Sequence, residues 1–370
     1  MIQKIPHYSG VHQFVSIAKD EMAKEKLCCE LDGHTFWYLS DGAIVSYPSL
    51  EVIPCEETLF SRLLQYNNYD VLEIEEDGSF VCVYDDATND NVIFITGRCN
   101  SNCVMCPSSE GSRKRGTIAP IDYHIELAKH IPTDTDHITI TGGEPFIIGN
   151  AAFRLLKYLR DNFERTEFLI LTNGRIFALN SYCDQLKQSI PSIATVGIPV
   201  HASNAELHDW ITQCPGSFEQ TWLGIQQLLK REIPIELRIV VTKLNVFDLP
   251  MLAKRISEEL PDVLHVCIMA MEMTGNAHKN RDLVWLPYRE SMSSIKQATD
   301  ILLNSGIDVR LYNFPLCTVD EGYWPLCKKS ISCDKIRFAK TCTSCKVKDM
   351  CGGTFSGTFR LLKQELAPVL

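Results

Sequence analysis

The sequence predicts an α/β fold, a parallel sheet with helices on its outside, and three observations carry that prediction. Short apolar, β-branched runs alternate with longer amphipathic stretches, the runs end in polar or glycine-rich loops, and 370 residues with 45% hydrophobic content suffice for one large core with additions at either end. Six runs read as buried strands, at 92–96, 137–141, 167–172, 194–200, 235–241 and 265–270. Helical stretches fall between or after them at about 121–130, 150–163, 217–230, 249–260 and 288–304, each with apolar residues near the 3.6-residue period.

The flanking parts read differently. Residues 29–39 and 43–47 look like strands around an Asp-Gly turn, and Phe80–Tyr84 like another after Asp77-Gly78, so 1–88 reads as a small β-rich module. Such a module either adds a leader peptide as an edge strand or serves as a packing cap. The sheet-and-helix part runs from 89 to 306, and 307–370 is a cysteine-rich tail.

Composition excludes several classes. A net charge of -10 gives no support for a nucleic-acid surface. No apolar run reaches the roughly 18 residues of a membrane span, and no signal segment opens the chain, so a soluble, cytoplasmic protein is expected. In that reducing compartment sixteen cysteines point to metal rather than disulfides. Cys28, Cys29, Cys55, Cys82, Cys183, Cys214 and Cys267 are scattered and read as buried, inert thiols. Arg113-Lys114-Arg115, the one basic knot, reads as a solvated loop, with an acidic substrate as its functional alternative.

Two motifs carry the chemistry. The first strand is followed by Cys99-Asn-Ser-Asn-Cys103-Val-Met-Cys106, a C-x3-C-x2-C run on a loop. Three thiolates so spaced can hold three corners of a cubane iron-sulfur cluster, leaving the fourth iron open to a chelating cosubstrate. Zinc is the competing reading, although its structural sites favour paired C-x2-C spacings. The second strand runs directly into Gly142-Gly143-Glu144-Pro145. Ligands bind beyond the carboxyl ends of parallel strands, so the two loops are expected on one face.

A strand followed by C-x3-C-x2-C, then a strand followed by Gly-Gly-Glu-Pro, resembles the radical S-adenosylmethionine (radical SAM) superfamily. The resemblance implies an incomplete (β/α)6 TIM-like barrel whose open side admits a large substrate. It also implies a 4Fe-4S cluster on Cys99, Cys103 and Cys106 that binds S-adenosylmethionine and cleaves it to a 5'-deoxyadenosyl radical. Gly142 and Gly143 would let the backbone approach the methionyl amine, Glu144 would accept from it, and Pro145 would stiffen the turn. The backbone at Met105 would face the adenine, although an aromatic residue is common there. Thr172 and Asn173 would reach the ribose or methionine moiety. Arg238 would either meet the cosubstrate carboxylate or form an ion pair with Glu236 or Glu144. Met271, at the sixth strand end, is a further candidate contact that reads equally as core.

The tail adds Cys342-Thr-Ser-Cys345 and Cys351-Gly-Gly, a C-x2-C-x5-C run preceded by Cys317, Cys327 and Cys333. Zinc is again possible, but the run resembles the SPASM and twitch domains that hold auxiliary clusters in peptide-modifying radical enzymes. The resemblance implies one auxiliary 4Fe-4S cluster on Cys342, Cys345 and Cys351, with Cys317 ahead of Cys333 and Cys327 as fourth ligand. Together with 197–202, His208-Asp209 and Ser330-Ile-Ser, the tail is similar to His-Xaa-Ser system radical maturases, over about residues 70–358. Cys333 departs from that pattern, where an acidic residue is expected. The implied function is hydrogen abstraction and crosslinking on a small, ribosomally made precursor peptide, with an electron donor such as flavodoxin or ferredoxin and a second radical maturase beside it. The alternatives are a radical enzyme acting on a small molecule or RNA, and a non-catalytic zinc or iron-sulfur protein.

Overall fold

The computed structural model describes residues 3–5, 8 and 10–370. Two sheets organise the chain. The first has the strands β1 (Gln3–Lys4), β2 (Gln13–Ala18), β3 (Phe36–Ser40), β4 (Ala43–Tyr47), β5 (Glu51–Ile53), β6 (Val71–Ile74) and β7 (Ser79–Tyr84), in the order β1-β7-β6-β2-β3-β4-β5. Asp41 and Gly42, both at positive φ, make the tight turn between β3 and β4, and Gly78 at φ 81° does the same before β7. Among the described residues only β2 and β3 pair in parallel in this sheet, and the helix Glu21–Glu30 spans their crossover.

That helix corrects two expectations. Cys29 and Glu30 are its last residues rather than strand, because Asp20 caps its start by accepting from the Ala23 N–H at 2.9 Å. Cys28 and Cys29 are exposed on it, not buried. Of the other scattered thiols, Cys183 and Cys267 are buried, while Cys55, Cys82 and Cys214 are half-buried. Burial pushes Cys82 and Cys267 up to about 12 and Cys183 to about 11, which keeps those three protonated and unreactive.

The second sheet is parallel and follows chain order: β8 (Val92–Phe94), β9 (His137–Thr141), β10 (Glu167–Leu171), β11 (Ala194–Pro199), β12 (Ile235–Val240), β13 (His265–Met269), β14 (Val309–Tyr312) and β15 (Cys327–Lys328). Among the described residues β8 and β15 do not pair, so the barrel stays open. Eight strands replace the expected six because β14 and the two-residue β15 extend the sheet into the tail. The expected helices lie at Ile121–His130, Ala151–Asn162, Ser217–Leu229, Leu249–Glu259 and Tyr288–Asn304. Asn180–Ser189 is a further helix whose buried side chains are only Cys183, Leu186 and Ser189, too few for an apolar stripe in the sequence.

Strand residues that face the helix layer, such as Ile138 and Ile140, Phe168 and Ile170, Val196 and Ile198, and Leu237 and Ile239, fill one continuous core with helix residues such as Leu156, Ile225 and Ile256. The N-terminal sheet packs on the Ile121–His130 helix. Phe14 meets Tyr123 edge-on at 5.1 Å between ring centroids, and Tyr84 Oη donates to Thr135 Oγ1 at 2.8 Å. The tail folds back as a two-stranded ladder of Ile336–Arg337 with Thr354–Phe355, and Leu362 buries itself in the barrel core. Among the described residues no helix is long and apolar enough to cross a membrane.

Candidate functional site

The cysteine loop leaves β8 and is clamped by backbone contacts from several directions. Cys99 N donates to Arg113 O at 3.1 Å, Asn102 N to Thr212 O at 2.9 Å and Val104 N to Ile211 O at 2.9 Å. From the chain after β13, Asn276 Nδ2 donates to Cys103 O at 3.1 Å and Asn280 Nδ2 to Val104 O at 2.8 Å. Arg113 is buried rather than solvated, which corrects the sequence expectation. Its guanidinium donates to Asn102 Oδ1 at 2.5 Å and to the Ser108 carbonyl, closing the loop from within, while Lys114 and Arg115 stay exposed.

The Gly-Gly-Glu-Pro segment lies directly against this loop. Gly143 N donates to Thr96 O at 2.7 Å and Glu144 N to Arg98 O at 2.8 Å. A Cβ on Gly142 would sit 2.5 Å from Thr96 O, and one on Gly143 would collide with the Gly97 and Arg98 carbonyls. The glycines therefore permit backbone-to-backbone packing against the cysteine loop, a role the sequence reading gave to a cosubstrate amine alone. Gly143→Ala is expected to cost about 1–3 kcal/mol of stability and to reduce iron incorporation, because backbone on both sides cannot yield as a side chain can. Wild-type melting together with full iron content would rule this packing role out.

Glu144 is 3% exposed and turns inward. Its Oε1 accepts from Thr172 Oγ1 at 2.8 Å and Phe146 N at 3.0 Å, and its Oε2 from Asn173 N at 2.7 Å. Burial raises its pKa, and those three donors oppose the shift. The carboxylate thus ties the loop after β9 to the end of β10. Asn173 extends the tie by donating from Nδ2 to Asn100 Oδ1 at 2.6 Å, and Arg175 donates to Asn100 O at 2.8 Å. Pro145 is buried at the start of the 3-10 turn Pro145–Ile148.

A cleft of about 370 Å³ opens beside the loop, and Cys103, Cys106, Met105, His201, Arg238 and Met271 are among its walls. Asn313 and Phe355 reach it from the C-terminal part. Arg238 pairs with Glu236, whose Oε2 lies 3.0 Å from His265 Nε2, so the ion-pair reading describes its partner while the guanidinium still borders the cleft. Met105, Arg238 and Met271 are therefore gathered at the cleft, whereas Gly142 and Gly143 pack on the cysteine loop, and Glu144, Thr172 and Asn173 brace it through hydrogen bonds. Sequence reasoning missed Arg175, Asn276 and Asn280, gave Arg113 no structural role in the loop, and met His201 only within the 197–202 stretch.

The thiols suit a metal cluster. Burial raises Cys99 and pushes Cys103 up to about 12, so thiolates there need a cation to pair with. In the tail, Cys317, Cys342, Cys345 and Cys351 line a single small cavity. Cys351 Sγ accepts from Leu316 N and Gly353 N, and Cys345 Sγ from Val369 N, each at 3.4 Å. Cys317 stands in a 3-10 turn, Leu316–Thr318, five residues beyond the end of β14. Cys327 sits in β15 with its thiol toward Tyr323 O, Cys333 is exposed, and neither lines that cavity. Among the described residues neither set has three sulfurs all within 4.8 Å of one another.

Residues 93–256 match the family described as the Radical SAM superfamily, so the chain carries a radical SAM domain. The AdoMet-dependent heme synthase of Methanosarcina barkeri (strain Fusaro / DSM 804) is 26% identical over 160 residues, covering 42% of this chain and 43% of that protein. The antilisterial bacteriocin subtilosin biosynthesis protein AlbA of Bacillus subtilis (strain 168) is 26% identical over 164 residues, 44% of this chain and 36% of that protein. The crystal structure of Streptococcus suis SuiB bound to S-adenosylmethionine shares the fold, with a TM-score of 0.50 and 14% identity over 71% of this chain and 57% of that one. The chain spans about half the length, or less, of these curated relatives.

Proposed function

We propose that this radical SAM protein is a peptide maturase that modifies a small, ribosomally made precursor of the His-Xaa-Ser type by hydrogen abstraction and crosslink formation. One observation carries the reading: a loop of three thiols and a second set of four thiols belong to one fold, and the cleft beside the first is walled partly by the C-terminal part that holds the second. A bacteriocin biosynthesis protein among the relatives supports a peptide substrate. Cytoplasmic placement, a flavodoxin or ferredoxin as electron donor and a second maturase belong to the same proposal.

Cys99, Cys103 and Cys106 would hold the 4Fe-4S cluster, and Cys317, Cys342, Cys345 and Cys351 an auxiliary one. When bound together with S-adenosylmethionine and given one electron by the donor, the first cluster would supply reductive cleavage of the cosubstrate to methionine and a 5'-deoxyadenosyl radical. This chain's residues bind and orient. Arg238, steadied by Glu236 and His265, offers its guanidinium to the cosubstrate carboxylate. Met105, Val240 and Met271 make apolar walls that exclude water from the cleft. Glu144 holds the Gly142-Gly143 backbone in place through Thr172 and Asn173.

Arg238→Ala is expected to weaken S-adenosylmethionine binding about tenfold or more, the loss of a charge-assisted bond of about 1.5–3 kcal/mol, with iron content unchanged. Glu144→Gln should weaken binding as well, since an amide cannot accept from all three donors. Equilibrium binding with iron analysis on the same samples checks both, and loss of iron in Arg238→Ala would make that residue structural. Mass spectrometry of the neighbouring-gene peptide after coexpression tests the function itself. A peptide lighter by two hydrogens per crosslink is expected, and an unmodified peptide under conditions that consume S-adenosylmethionine would refute the substrate class.

A further inference from the structure

The junction between the N-terminal sheet and the barrel carries a cluster of metal-type donors that includes no cysteine. His34 lies in the loop before β3, and Glu126 and His130 stand one turn apart on the Ile121–His130 helix. One ligand-type atom from each lies within 4.8 Å of the others. His34 Nδ1 is 2.8 Å from Glu126 Oε1, and His130 Nε2 is 3.9 Å from the same oxygen. Lys129 Nζ takes the other carboxylate oxygen at 3.1 Å, which leaves Oε1 aimed at the two imidazoles.

His130 is 2% exposed and held by an outer partner. Ser16 Oγ lies 3.2 Å from both His130 Nδ1 and His130 O. With the single hydroxyl proton given to the carbonyl, Nδ1 donates to Ser16 Oγ and Nε2 keeps its lone pair toward Glu126. An imidazole fixed through its other nitrogen is the arrangement metal-ligating histidines use. All three side chains border one open cleft of about 350 Å³, shared with His12 and Tyr123. A fourth position would therefore be reached from solvent.

We propose that His34, Glu126 and His130 form a zinc-class divalent cation site that joins the N-terminal module to the barrel. Two imidazoles and one carboxylate are borderline ligands that favour Zn²⁺ over Mg²⁺ or Ca²⁺. Because the ligands come from both units, the bound ion holds them together. The plain alternative is a hydrogen-bonded cluster of His34, Glu126 and Lys129 with no ion.

The test uses the iron-loaded holoenzyme, so that the cysteine sites are filled, titrated anaerobically with Zn²⁺ in competition with a chelating indicator. About one zinc per chain is expected without loss of iron, together with a higher melting temperature. His34→Ala and Glu126→Gln change partly exposed side chains and should each weaken binding by more than about a hundredfold, beyond the roughly tenfold to hundredfold cost of losing an outer-shell partner. Both should abolish the zinc-dependent rise in melting temperature while 5'-deoxyadenosine formation persists. A wild type that retains no zinc, or variants that bind it as tightly, would overturn the site. Zinc uptake matched by loss of iron would assign the ion to the cysteines instead and overturn it equally.

Discussion

Changing Cys99, Cys103 and Cys106 together to alanine should reduce 5'-deoxyadenosine formation by more than about a thousandfold, a barrier increase of about 4 kcal/mol. The same variant should keep about four of about eight irons under four-iron ligation at each site. It should also stay folded. The loop's contacts to other elements run through backbone and amide groups, from Asn102 N to Thr212 O and from Asn276 Nδ2 to Cys103 O, while Cys99 Sγ accepts only within the loop, from Ser101 N at 3.4 Å. Gly143 N and Glu144 N likewise bond to Thr96 O and Arg98 O, whose geometry the substitutions leave alone. Chromatographic detection of 5'-deoxyadenosine with iron analysis checks the result. Unchanged turnover in the triple variant would sink the assignment of these residues.

The second large effect separates two activities that a single assay would confuse. Cys345→Ala and Cys317→Ala should each lose about four irons and nearly all peptide modification, yet retain cleavage of S-adenosylmethionine. Cys317 and the C-x2-C-x5-C cysteines share one cavity, whereas Cys99, Cys103 and Cys106 lie on the loop after β8. Cys327→Ala and Cys333→Ala should keep all eight irons, because neither thiol faces that cavity. If the tail site only staples the C-terminal segment, the Cys345 and Cys317 variants would instead be insoluble or melt early. Iron counts, deoxyadenosine yield and peptide mass on the same samples distinguish these outcomes.

The barrel was legible because its signals are local. Each of the runs 137–141, 167–172 and 235–241 is a short segment rich in β-branched and aliphatic residues that ends in a polar or glycine-rich loop, and helices such as Tyr288–Asn304 bury a full stripe at Tyr288, Met292, Ile295 and Leu302. Elements with a thin buried face were not. Glu21–Glu30 buries only Ala23 and Leu27, so its end at Cys29 passed for a strand. The three-thiol loop and the Gly-Gly-Glu-Pro turn declare themselves by spacing. Their supports do not, since Asn276 and Asn280 reach the loop across 173 and 176 residues of chain and leave no periodic trace. Arg113 looked solvated because charge alone cannot show that Asn102 and Ser108 accept from it inside the fold. Glu144 shows the same limit, because its residue type fits a cosubstrate amine as well as the three protein donors it meets.

One cluster open to S-adenosylmethionine and another closed to it differ in a way that electron paramagnetic resonance reads directly. The chemically reduced wild type, recorded with and without the cosubstrate, should show a signal that changes on its addition. The Cys99/Cys103/Cys106 variant should show a remaining signal that does not. A wild-type spectrum indifferent to S-adenosylmethionine, or a variant signal that still responds to it, would contradict the account.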